Sequence, residues 1–151
     1  TGIVVAARDC REEPHFYIFD DASIEMATPD EWATRAVETY DRWHSDLVVG
    51  EVNNGGDLVE AVIRHKKSTV NYEAVHASRG KVIRAEPIAA LYEQGRVHHV
   101  GTFGMLESQM CSYDPTVAEK SPDRMDALVW AITELSEDAY SQAPATGGRR
   151  R

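Results

Sequence analysis

Two carboxylates stand one helical turn apart at the head of an apolar stretch, Ser121-Pro122-Asp123-Arg124-Met125-Asp126-Ala127-Leu128, and a third, Glu51, closes the apolar run Leu47-Val48-Val49-Gly50-Glu51. Acids gathered in this way suit hard divalent cations, which prefer oxygen ligands. Ser121 is a favourable N-cap and Pro122 suits the first helical position, so Asp123 and Asp126 project to the same side of the first turn. Met125, Leu128, Val129, Ile132 and Leu135 then form the stripe that buries the helix. A structural reading competes, in which Asp123 complements the helix dipole and Asp126 is a solvated surface acid. For Glu51 the competing reading is a strand-end acid in solvent. Buried without a partner it would be strongly destabilising, so a buried Glu51 requires a metal or an arginine beside it.

The elements that position these acids alternate along the chain. Ile3 to Ala7 and Phe16 to Phe19 are apolar runs on either side of the polar turn Arg11-Glu12-Glu13-Pro14, the pattern of an antiparallel hairpin. Thr28-Pro29-Asp30-Glu31 is a capping box, and Trp32, Ala36, Val37, Tyr40 and Trp43 follow at helical spacing. Leu47 to Val52 reads as a strand covered on both faces. Asn53-Asn54-Gly55-Gly56 turns the chain into a helix from Asp57 to Arg64, and Val70 to Val75 is the next strand. Lys81 to Gln94 reads as a helix stopped by Gly95, with Pro87 implying a late start or a kink. A strand from Val97 to Val100 and a short helix from Met105 to Cys111 precede the loop at Asp114-Pro115. A strand pair followed by strands and helices in alternation predicts an α/β fold, a mixed central sheet with helices on both faces. Sites in such sheets form beyond the carboxyl ends of strands, where Glu51 stands.

With 151 residues the chain fits one domain, residues 1–140, with a flexible basic tail at 141–151 that ends in Arg149-Arg150-Arg151. No apolar run approaches the ~20 residues of a membrane span, and no signal peptide precedes the first strand. Cys10 and Cys111 have neither metal-ligand spacing nor a disulfide framework, which favours a reducing compartment and a structural role for both. The net charge of −9 argues against nucleic-acid binding by bulk electrostatics but not against binding through metals and local basic clusters. Those clusters are Arg64-His65-Lys66-Lys67, Arg79-Gly80-Lys81 with Arg84, and the arginine tail. No Ser/His/Asp or Cys/His constellation is evident, since His98 and His99 face opposite ways on a strand. No phosphate-binding Gly-x-x-x-x-Gly-Lys loop is present, which excludes a P-loop ATPase. The start at Thr1, already reading as strand, suggests a piece of something larger.

Several blocks in order carry a family resemblance: Thr1-Gly2-Ile3-Val4-Val5, Glu51 to Asp57, Arg79 to Pro87, Leu91 to Val97, and Ser121 to Ala131. Together they resemble the C-terminal nuclease domain of tailed-bacteriophage large terminases. The resemblance implies a ribonuclease-H-like fold and a metal-dependent endonuclease that cuts concatenated double-stranded DNA while a capsid is filled. Two Mg²⁺ or Mn²⁺ ions would drive the in-line phosphodiester hydrolysis. By family pattern Glu51 matches the second acidic ligand, and Asp123 and Asp126 match the third acidic cluster. Asp123 is favoured as the direct ligand, with Asp126 direct or through water. Lys81 and Arg84 match basic family positions and could contact DNA phosphate, with intramolecular ion pairs as the structural alternative.

The first acid of the family pattern belongs to a strand upstream of Thr1. Asp9, Asp20 and Asp21 are substitutes by residue type, though by position they belong to the hairpin. Implied partners are an N-terminal ATPase domain of the same polypeptide, the portal protein and the small terminase, with no membrane, in the host cytoplasm. The alternatives are a non-catalytic docking module of the packaging motor, and a related resolvase- or transposase-type nuclease.

Overall fold

A computed structural model describes residues 1–52, 57–77, 80–114, 116 and 122–141. The expected turn at 53–56, Arg79, the Ser121 cap and the tail from residue 142 onward lie outside the described residues. Strand β1 (Val4–Arg8) pairs antiparallel with β2 (Phe16–Asp21), with a register shift between Val5 and Ala6. The hairpin read from the alternating runs is therefore present. Helix α1 (Pro29–Trp43) starts on the expected capping box: the Thr28 hydroxyl accepts from the Glu31 amide, and the Glu31 carboxylate accepts from the Thr28 amide. Strand β3 (Val48–Glu51) leads through α2 (Asp57–Lys66) to β4 (Tyr72–Val75), which lies parallel to it with Val75 opposite Glu51.

Helix α3 (Lys81–Glu93) begins on Gly80 and runs through Pro87, so the expected late start does not occur. Proline removes the donor that would meet the Ile83 carbonyl, and Ile83 is 51% exposed, on a side of the helix open to water. The helix stops as expected at Gly95. Its φ of +67 lets the Gly95 amide reach the Tyr92 carbonyl and the Arg96 amide reach the Leu91 carbonyl. Strand β5 (Val97–His99) runs parallel to β2, followed by α4 (Gly104–Ser112) and α5 (Asp123–Ser141).

The strands form two hydrogen-bonded groups, β1-β2-β5 and β3-β4, both within reach of α5, which packs on β1 and β3. Each of β1 and β3 is paired along one edge only among the described residues. This explains a departure from the sequence reading: β3 was expected to be covered on both faces, yet all four of its residues are partly exposed. Burial falls instead on Val52, just past the strand.

One apolar cluster joins Phe16, Ile18 and Val97 of the three-stranded group to Ile88, Leu106, Leu128 and Ile132 of α3, α4 and α5. A smaller one joins Ala33 of α1 and Ile63 of α2 to Val70, with Val48 and Tyr72 packed against it. The stripe predicted for α5 is its buried face, with Met125, Leu128, Val129 and Ile132 each at most 7% exposed. Cys10 and Cys111 are exposed thiols, which corrects the expectation of a structural role: one lies in the β1–β2 turn and the other near the end of α4. Among the described residues no helix is long and apolar enough to cross a membrane.

Candidate metal centre

Three elements converge at the carboxyl end of β3. Glu51 is its last residue, Lys81 and Arg84 occupy the first turn of α3, and Asp126 the first turn of α5. Lys81 and Arg84 are three residues apart and share a helix face. Two cations at a helix N-terminus oppose the macrodipole, and no acid accompanies them in that turn of α3. Their compensation comes from other elements. Arg84 Nη1 donates to Glu51 Oε1 at 3.2 Å, and Nη2 to Asp126 Oδ1 at 3.4 Å. Lys81 Nζ pairs with the second oxygen of Asp126.

Asp126 is 7% exposed, one of few buried polar residues, which removes the solvated-surface reading for it. Trp130 lies one turn further along the same face of α5, with the Arg84 guanidinium carbon 4.5 Å from its ring centroid. The Arg84 side chain is 10% exposed, and its Nε is buried with no hydrogen-bond partner.

Asp123 lies apart from this cluster. Its side chain is 48% exposed, and Oδ2 sits 3.2 Å from the amino nitrogen of Thr1. Close packing holds that end of α5 against the start of the chain: a Cβ on Gly2 would lie 1.9 Å from the Asp123 carbonyl oxygen, so only glycine fits. The open amides of the first turn are met from α4, where Gln109 Oε1 accepts from Arg124 N at 2.9 Å and Met125 N at 3.0 Å. No pattern local to Ser121–Leu128 signals that cap.

Among the described residues no group of three His, Cys, Asp or Glu side chains is arranged to hold a metal ion. Glu51 and Asp126 nevertheless form an all-oxygen donor pair of the kind hard divalent ions take, and those oxygens already face cationic groups. The residues present fit part of such a centre, two carboxylates of a larger set.

Residues 1–135 match the family described as Terminase RNaseH-like domain. The chain belongs to this family. A search of curated proteins found no match. Membership makes the fold RNaseH-like, as the motif blocks implied, and the strand pair followed by the parallel β3-α2-β4 unit is its observed form here.

Within this terminase RNaseH-like domain the acids that could stand in for the family's first ligand are engaged elsewhere. Asp21, 7% exposed in its side chain, is bridged to Arg124 at 2.6 Å. Asp20 accepts from the Trp43 indole at 2.9 Å, and Asp9 accepts from the His15 amide at 3.0 Å. The basic run on α2 is also spoken for: Arg64 pairs with Glu60, Lys66 with Asp30, and Lys67 with Asp41, fastening α2 to α1.

One network escaped the sequence reading. The His99 ring bridges two partners, with Nδ1 2.9 Å from Glu107 Oε1 and Nε2 2.7 Å from the Tyr92 hydroxyl oxygen. Burial and the nearby Glu107 charge push the Tyr92 hydroxyl well above the ordinary phenol range, which keeps it protonated. The hydrogen bonds from His99 and from the Phe103 amide hold the Glu107 carboxyl below its ordinary value. His98 faces the other way, with Nε2 2.7 Å from His15 Nδ1, as strand alternation required.

Proposed function

We propose that this domain is the DNA-cutting module of a terminase, a divalent-metal-dependent endonuclease acting on concatemeric duplex DNA. The observation that carries this reading is the meeting of Glu51 and Asp126, from a strand end and a distant helix start, on one buried guanidinium. When bound, two Mg²⁺ or Mn²⁺ ions would supply water activation and stabilisation of the leaving 3′ oxygen. Glu51 and Asp126 would hold them. Asp126 stands ahead of Asp123 in this role, because it shares Arg84 with Glu51. Asp123 would act through water.

Lys81 and Arg84 would meet the DNA backbone, orienting the scissile phosphate against the acids. The remaining acid would come from a strand preceding Thr1. The partners would be duplex DNA, an ATPase domain of the same polypeptide, the portal protein and the small terminase, in the host cytoplasm.

The test is cleavage of supercoiled plasmid, linear duplex and four-way-junction DNA, by this chain and by a form extended upstream, with Mn²⁺, Mg²⁺ or EDTA. Metal-dependent cutting of plasmid and linear duplex without preference for the junction is the expected result. Strong junction preference would transfer the reading to a resolvase. Absence of cutting by both forms under every metal would leave a docking module.

A further inference from the structure

The oxygens that a divalent ion would need are held by cations of this chain. Arg84 spans Glu51 Oε1 and Asp126 Oδ1, and Lys81 takes Asp126 Oδ2. Two carboxylates are thus matched by two positive side chains. An ion held by both Glu51 and Asp126 competes with Arg84 for the two carboxylates, since Arg84 already takes one oxygen of each and Lys81 takes the other oxygen of Asp126.

Three features suit Arg84 to exchange. Its contacts, 3.2 and 3.4 Å, are longer than the ~2.7–2.9 Å of strong charge-assisted hydrogen bonds, so the fork is loosely held. Its Nε is buried without a partner, a donor that an incoming acceptor would satisfy. The Trp130 ring beneath the guanidinium gives the side chain a surface to keep while its nitrogens change partners. The Lys81 side chain, on the same helix turn, is 33% exposed.

We propose that Arg84 and Lys81 are exchangeable counter-ions of the acid pair. Before metal arrives they neutralise Glu51 and Asp126 and hold the three elements together. Divalent ions displace them, and the released guanidinium and ammonium then bind backbone phosphate. Metal and DNA binding are thereby coupled, each tightening the other by the same factor. The proposal rests on the metal-dependent nuclease reading and adds the route by which its metal site fills.

The experiment is a calorimetric Mn²⁺ titration of the intact polypeptide, with wild type, Arg84→Gln, Lys81→Gln and Glu51→Gln in parallel. Each is also melted without metal. Removing a competing charge from a partly buried site is expected to tighten Mn²⁺ binding by about tenfold in Arg84→Gln. The same variant is expected to melt lower than wild type in EDTA, because two acids lose their shared partner. Affinity and metal-free stability thus move in opposite directions.

Mn²⁺ binding unchanged or weakened in Arg84→Gln would overturn the exchange and make Arg84 a residue that only positions the acids. Should Arg84→Gln fail to fold, Lys81→Gln carries the same comparison with the same expected tightening. Loss of Mn²⁺ binding in Glu51→Gln marks the site as correctly placed. Binding absent from wild type, or unaffected by Glu51→Gln, would overturn the site itself and the exchange with it.

Discussion

Glu107 shows how a few hydrogen bonds make one carboxyl's contribution to stability depend on pH. Its carboxyl is held below the ordinary 4.5 by the His99 side chain and the Phe103 amide. A depressed carboxyl contributes stability that is complete above its unfolded value and is lost as the pH falls through the folded one. Melting curves from about pH 5 to about pH 3 should therefore drop more steeply for wild type than for Glu107→Gln, which cannot ionise. Parallel curves would remove Glu107 from the acid transition. The Asp21–Arg124 pair carries a larger effect, since both side chains are at most 14% exposed and lie 2.6 Å apart. Asp21→Ala leaves a buried guanidinium short of its partner and is expected to cost about 3 kcal/mol in denaturant unfolding. A normal unfolding midpoint with lost DNA cutting would instead make Asp21 part of the site.

At the scale of elements, local signals were legible and distant ones were not. Thr28-Pro29-Asp30-Glu31 announced the start of α1 and Gly95 the end of α3, because capping and left-handed turns depend on neighbours in sequence. For Glu51 the cost of a lone buried carboxylate left a metal and an arginine both open as partners, and the partly exposed side chain meets Arg84. The ranking of Asp123 over Asp126 rested on helix direction alone. Helix direction does not report the contact of Asp126 with Arg84 on α3, an element remote in the chain. The Gln109 cap belongs to the same class, a side chain on α4 serving the first turn of α5. Gln109→Ala should lower stability by about 1 kcal/mol. It should also reduce cutting beyond that loss, because Asp126 rides on the turn that Gln109 fixes. Unchanged stability would show that water replaces the cap without cost.

Across the whole molecule, the two strand groups meet along α5, which contacts both β1 and β3, belongs to the larger apolar cluster and carries Asp126 at its head. The net charge of −9 means that a DNA-binding face depends on local cations, and the Arg64, Lys66 and Lys67 charges of α2 are committed to acids on α1 and α2. Lys81 and Arg84 remain the cations placed beside the acid pair. The most direct test of the central claim is Mn²⁺-dependent plasmid cleavage by Glu51→Gln, Asp126→Asn and Asp123→Asn in the upstream-extended form, with circular dichroism to verify folding. The expected result is a loss of at least about a hundredfold for Glu51→Gln and Asp126→Asn and a smaller loss for Asp123→Asn. Folded Glu51→Gln and Asp126→Asn proteins that cut at the wild-type rate would contradict it.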